Sequence, residues 1–293
     1  MAKILVTGSE GQLGHELRSV LERVMPGVTT YVDRADIDLT DRDAVETLLR
    51  DGNFTHVVNC AAYTAVDRAE EEKLQCKEAN VGIPSNLGRL ADELNLRIIH
   101  ISTDYVFDGH TWIPYTEGDK PEPLSVYGTT KRKGETALMG LAPTAMIIRT
   151  GWLYSPYGHN FLKTVLKLAA KENRMTMVAD QTGTPTYAAD LAEAIVAILS
   201  SKHWTPGIFH YSNEGVASWY DFAVAVLEES GLSDKAAMVE PMLTVDYPTP
   251  ATRPYYSVLC KAKIKATYGL KIPHWREALR RCISQMSTIK DNG

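Results

Sequence analysis

A tyrosine and a lysine four residues apart, Tyr127 and Lys131, form the pair in this sequence best suited to moving a proton. That spacing sets both side chains on one face of a helix. An ammonium beside a phenol stabilises the phenolate and lowers a pKa that starts near ~10. Of fourteen tyrosines, Tyr127 alone has lysine at this distance. Thr103, in the run Ser102-Thr103-Asp104, adds a hydroxyl able to hold and polarise a carbonyl oxygen. Acid, electrostatic partner and donor are the set that hydride reduction of a ketone requires. On a bland reading Lys131 is an exposed lysine and Thr103 merely caps a loop.

Such a set works only if the chain positions it. Lys3–Thr7 is a short apolar run that ends in a Gly-rich turn, and Leu13, Leu17, Val20, Leu21 and Val24 then recur at helical spacing. Strands are expected at 29–32, 56–60, 97–102 and 144–150. Between them come a helix over 41–49 with Asp41 as N-cap and a helix-compatible segment over 70–94. Continuous apolar strands separated by amphipathic helices indicate a parallel sheet covered on both faces. The fold class is α/β, a Rossmann-type doubly wound parallel sheet, with residues 1–150 as the dinucleotide-binding domain. Thr103 falls at the C-terminal end of the fourth strand, where such sheets bind ligands. Residues 151–293 are expected to form a smaller, mainly substrate-binding lobe, with helices at 161–171, 187–199, 219–230 and 275–286 and some segments returning to the first domain.

The turn Gly8-Ser9-Glu10-Gly11-Gln12-Leu13-Gly14 spaces glycines by three between strand and helix. Glycine there permits a tight turn, close approach to a pyrophosphate and close helix packing, while the helix N-terminus offers amide donors. Gly-x-x-Gly-x-x-Gly resembles the short-chain dehydrogenase/reductase superfamily. Asp33 ends the second strand where an acid would bond adenosine ribose hydroxyls, and Arg34 follows where a guanidinium would meet a 2′-phosphate, so the cofactor is NADPH or NADH. Asp38 and Leu39 resemble the pair that flanks adenine in extended members, and Ala61, Ala62, Tyr63 and Thr64 resemble their nicotinamide-side loop.

At 293 residues, 44% apolar and 23% charged with a net charge of −5, the composition disfavours nucleic acid as a partner. No apolar stretch approaches ~18 residues and no leader precedes the first strand, so a cytoplasmic location without membrane association is expected. Cys60, Cys76, Cys260 and Cys282 are widely spaced, the eight histidines form no His-Glu-x-x-His, and no protein-ligated metal is expected.

The motif Ser102-Thr103-Asp104-Tyr105-Val106-Phe107-Asp108-Gly109 is more specific. With Asn59 to Asp67, Pro123 to Lys131, Arg149 to Tyr154, Asp180 to Thr186 and Pro250 to Pro254, it resembles the dTDP-4-dehydrorhamnose reductase family over nearly the whole chain. The resemblance implies reduction of the C4 keto group of dTDP-4-dehydro-L-rhamnose. Tyr127 would be proton donor, Lys131 its partner and ribose ligand, and Thr103 the polarising hydroxyl. Thr103, Asp104, Val106 and Trp152 would touch the sugar, and Arg253 the diphosphate. Trp152 also reads as a core residue and Arg253 as a solvated one. Cys60 stands where the family often has a third alanine, and Thr252 where it often has a second arginine. The family also implies a homodimer assisted by Mg2+, for which Glu16 is the one matching acid. Competing readings are a regulatory subunit of methionine adenosyltransferase type, disfavoured by the intact Thr103, Tyr127 and Lys131, and a nucleotide-sugar epimerase or dehydratase. Dehydratases carry Asp-Glu after the threonine, where this chain has Asp104-Tyr105.

Overall fold

The computed structural model describes residues 2–172 and 174–291. In chain order the elements are β1 (Ile4–Thr7), α1 (Gln12–Val24), β2 (Thr29–Val32), α2 (Arg42–Gly52), β3 (His56–Asn59), α3 (Lys73–Lys77), α4 (Ile83–Arg89), β4 (Arg97–Thr103), α5 (Val126–Leu141), β5 (Met146–Thr150), β6 (Leu153–Tyr154), α6 (Phe161–Ala169), β7 (Met175–Val178), β8 (Thr182–Gly183), β9 (Thr186–Tyr187), α7 (Ala188–Ser200), β10 (Gly207–His210), β11 (Ala217–Ser218), α8 (Trp219–Glu229), α9 (Ser233–Ala236), β12 (Val239–Met242), α10 (Ala262–Tyr268) and α11 (Trp275–Asp291).

Six parallel strands pair in the order β2-β1-β3-β4-β5-β10. Chain direction across the sheet reverses between β1 and β3, which opens a crevice at their C-terminal ends. Ile4, Leu5, Val57, Val58, Ile98 and Ile99 are all fully buried, as strands covered on two faces must be. The helix of Leu13, Leu17, Val20 and Leu21 turns its stripe onto the sheet, though Val24, the last of that series, is 46% exposed. Asp41 caps α2 as expected, accepting from the amides of Asp43 and Ala44.

Two segments beyond residue 151 complete this layer. β10 adds the sixth strand beside β5, and α7 packs Leu191, Ile195 and Ile198 into the same core as Leu17 and Leu21. Fully burying each such side chain contributes about 1.5–3 kcal/mol. The remaining C-terminal elements enclose a second core of Tyr154, Leu162, Phe222, Val226 and Leu279. Short two-stranded sheets, β8–β11, β6–β9 and β7–β12, tie that lobe together.

The segment over 70–94 is not one helix. A 3-10 turn (Arg68–Glu70), α3, a π-helical turn (Glu78–Gly82) and α4 follow one another. Pro84 lacks the amide that would continue the α-helical ladder. The buried Asn80 side chain accepts from the Tyr63 amide at 2.9 Å and donates to the Tyr63 carbonyl at 3.2 Å. Among the described residues no helix is long and apolar enough to cross a membrane, and all four cysteines are free.

Candidate active site

The Gly-rich turn lies in the crevice between β1 and β3. Gly8 has φ +66°, and a Cβ there would come within 2.7–2.9 Å of the Cys60–Ala61 backbone; one on Gly14 would lie 2.4 Å from the Gly8 carbonyl oxygen. No side chain caps the first amides of α1, where Gly11 is the N-cap. These features fit a dinucleotide, whose pyrophosphate takes uncapped amides at a helix start. Asp33 anchors the turn through the amide of Glu10 at 2.8 Å and also accepts from that of Arg34 at 2.7 Å, while Arg34 itself is exposed. Asp38 is exposed and folds onto Thr40, which holds its carboxyl below the usual range. Leu13 and Leu39 point into the core, so these two positions offer a ligand their backbone and not their side chains. Gln12 accepts from Asn160 at 2.9 Å, joining the turn to the second lobe.

A buried polar chain ties both walls of the crevice. The Thr7 hydroxyl donates to Asn59 Oδ1 (2.7 Å), which also accepts from the Ala61 amide (3.1 Å), and Asn59 Nδ2 bonds His100 Nδ1 (2.9 Å). The loop Ala61–Thr64 is thereby fixed against β1 at one end and against Asn80 at Tyr63.

Thr103 ends β4, its hydroxyl accepting from the Tyr105 amide and donating to Asp104, each at 3.1 Å. Asp104 is 2% exposed, and burial raises its carboxyl to about 6 despite the bond from Thr103. Ser125 caps α5 through the Gly128 amide, and the helix brings half-buried Tyr127 beside Thr103. Tyr105 meets the Tyr127 ring edge-on at 5.9 Å.

Lys131 differs from expectation. Its ammonium donates to the Ile101 carbonyl at 2.6 Å, and burial lowers it to about 8. Burial likewise pushes the Tyr127 phenol well above its usual range, so desolvation, not the lysine, governs the phenol in this arrangement. One turn on, Glu135 is fully buried and grips Arg149 through two bonds of 2.8 and 2.7 Å, while Ser102 donates to it at 2.6 Å. This pair locks α5 to β4 and β5 directly behind Thr103.

Val106, expected at the sugar, instead packs at 0% exposure with Phe107, Tyr115 and Leu259, because the 3-10 turn Asp104–Val106 rotates it inward. Trp152 is half-buried at the second lobe's edge of the cleft. Arg253 lies near Tyr105 and makes a two-pronged pair with Asp67 at 3.0 and 2.8 Å. Glu16 is the acid that the family resemblance offered for magnesium. It is buried with one oxygen unpartnered, and burial raises it to about 7. The neighbouring carboxylate Asp190 already accepts from Arg281 and Asn213. Among the described residues no group of three or more His, Cys, Asp or Glu could hold a metal ion.

Asn80 and Glu135 were not named from sequence, and Asn59, Asp67 and Arg149 entered only as parts of family motifs, without a role of their own. Asn80 did leave a trace, as a polar residue just before Gly82 and Pro84 within an otherwise helical pattern.

Residues 2–288 match the family described as RmlD substrate binding domain. The chain is 38% identical over 287 residues to a dTDP-4-dehydrorhamnose reductase of Aggregatibacter actinomycetemcomitans, covering 96% of this chain and 98% of that protein. A crystal structure of a Clostridium acetobutylicum dTDP-4-dehydrorhamnose reductase superposes with a TM-score of 0.92 at 39% identity, covering 97% of this chain and 99% of that one. The Bacillus anthracis reductase in complex with NADP gives 0.89 at 32%, covering 97% and 100%.

Proposed function

The chain belongs to the dTDP-4-dehydrorhamnose reductase family, and from that premise we propose which of its residues carry each part of the reaction. The activity is NAD(P)H-dependent reduction of the C4 keto group of dTDP-4-dehydro-L-rhamnose to dTDP-L-rhamnose. When bound, the nicotinamide cofactor supplies the hydride that goes to C4. One observation carries the assignment: α5 sets Tyr127 beside Thr103 at the C-terminal end of β4, with Lys131 one turn on bonded to the Ile101 carbonyl of the same strand.

Tyr127 gives its phenolic proton to the C4 oxygen as that oxygen gains charge. The phenol is protonated at neutral pH, and burial strengthens its hold on the proton. The Thr103 hydroxyl donates to the same oxygen, exchanging its bond to Asp104 for one that strengthens in the transition state. The Lys131 ammonium holds the nicotinamide ribose and stabilises the phenolate left behind. Gly8, Gly11 and Gly14 admit the pyrophosphate to the amides of Gln12 and Leu13. Ala61, Ala62, Tyr63 and Thr64 line the nicotinamide side, and Asp38 and the Leu39 backbone lie by the adenine. Asp33 is engaged with the turn, while exposed Arg34 is open to a 2′-phosphate, so NADPH is the preferred cofactor. Asp104 and Trp152 meet the sugar, and Arg253, oriented by Asp67, meets the diphosphate.

The test is a rate comparison of wild type and Tyr127→Phe with enzymatically generated dTDP-4-dehydro-L-rhamnose and NADPH. The variant should lose about 10²–10⁴-fold in kcat while binding NADPH normally. Wild-type turnover by the variant would remove Tyr127 from the mechanism.

A further inference from the structure

Trp152 has φ +51°, an uncommon conformation for a bulky residue, and something must hold it there. Three contacts from separate parts of the second lobe converge on it. Its indole lies flat on that of Trp219, with ring centroids 3.5 Å apart and planes 3° from parallel. Gly183 passes against the same ring, and a Cβ at that position would lie 2.5–2.8 Å from Cε2, Nε1 and Cζ2. The Trp152 carbonyl accepts from the Thr186 amide at 3.0 Å.

The lobe's short strands exist where this arrangement needs them. β8 pairs with β11 through Ala217 opposite Gly183 and Ser218 opposite Thr182, which places Trp219, the first residue of α8, over the indole. Ser218 and Asp221 form a capping box that fixes this helix start, and Trp219 Nε1 donates to Gln181 at 3.1 Å. On the other side, Trp152 directly follows Gly151, where a Cβ would strike the Asp104 carboxylate at 2.4 Å. The clamped indole is therefore the wall of the lobe adjacent to the strand end that bears Thr103.

We propose that Trp219 is a positioning residue for the sugar nucleotide: stacked on Trp152, with Gly183 beside the pair, it presets the aromatic wall against which the sugar docks. This rests on the reading that Trp152 touches the sugar. Trp219 touches neither substrate nor cofactor and acts through Trp152. A preset wall spares the substrate the cost of ordering the indole on binding, so its loss falls on substrate affinity and not on proton transfer.

The test is a double-mutant cycle of Trp152→Ala and Trp219→Ala, with Trp219→Phe as the conservative variant. Each protein is checked by thermal melting and by the far-ultraviolet exciton couplet that stacked indoles give in circular dichroism. Either alanine variant should abolish the couplet, raise KM for dTDP-4-dehydro-L-rhamnose about tenfold, change kcat little and leave the Kd for NADPH within about twofold. The double variant should be no worse than Trp152→Ala, and Trp219→Phe should recover most of the KM. Two results overturn the positioning role: unchanged KM in Trp219→Ala although the couplet is gone, or effects that add in the double variant. An unchanged KM in Trp152→Ala would instead show that the sugar does not use this wall.

Discussion

The two walls of the cleft are built by opposite means. The sheet wall ends long parallel strands and holds its polar side chains by buried hydrogen bonds: Thr7, Asn59 and His100 in one row, Ser102, Glu135 and Arg149 in another. The lobe wall consists of two-residue strands and stacked rings, with Trp152 on Trp219 and Phe161 against Trp219 at 4.7 Å. Hydrogen-bonded groups are fixed in angle as well as distance, which proton transfer to a particular oxygen demands. Flat aromatic faces define a plane and leave lateral freedom, which suits a sugar's apolar side. On the proposed roles, the kind of contact that holds each wall matches its task, chemistry for the sheet wall and recognition for the lobe wall.

That contrast can be broken at several strengths. The largest effect is expected behind the sheet wall. Glu135→Gln leaves the Arg149 guanidinium buried without its counter-charge and should cost about 3–5 kcal/mol in urea unfolding; a loss below ~1 kcal/mol would mean that this row is not what holds the wall. Next, Thr103→Val should lower kcat by about 100-fold with little change in KM, the mirror image of the KM effect expected at Trp152. Equal changes in kcat and KM at both positions would erase the division between the walls.

Smaller effects come from titrating groups and from the cofactor. Glu16 has its pKa raised from 4.5 to about 7 by burial. Between those values the folded protein holds a proton that the unfolded chain has lost, so stability falls as pH rises through that window and levels off above about 7. Glu16→Gln cannot ionise and should remove this slope, gaining up to a few kcal/mol at about pH 8, since each pH unit crossed in the window costs on the order of 1.4 kcal/mol. Chemical denaturation of both proteins at acid and alkaline pH checks it. Smallest, Arg34→Ala should reduce the preference for NADPH over NADH about tenfold, or ~1.4 kcal/mol, read as the ratio of kcat/KM values; an unchanged ratio would place the 2′-phosphate elsewhere.

Much of the sheet wall was legible because its signals are local. A glycine period after a strand, apolar runs of four to seven residues and a four-residue Tyr–Lys spacing each reflect a short-range geometric demand. The sixth strand was not read. Gly207–His210 follows Pro206 and opens on a glycine, which reads as a turn, and its pairing with β5 makes it a strand. The break at Glu78–Gly82 was not read although Pro84 follows it, and the bond by which Asn80 reaches back to Tyr63, 17 residues away, leaves no local signal. Val106 was misplaced because the motif fixes where the chain turns and not which way each side chain points. The burial of Tyr127 and Lys131, which raises the phenol and lowers the ammonium, is not something that spacing alone reveals. In the lobe wall, Trp219 and Gly183 lie 67 and 31 residues from Trp152, and no local pattern joins them.

Every role assigned to the two walls depends on net reduction at the sheet wall. The most direct measurement follows NADPH absorbance and the sugar nucleotide together, the latter by nuclear magnetic resonance, in one reaction with dTDP-4-dehydro-L-rhamnose. One equivalent of NADPH should be oxidised for each dTDP-L-rhamnose formed. Conversion of the sugar without net loss of NADPH, or no conversion by folded protein that binds NADPH, would contradict it.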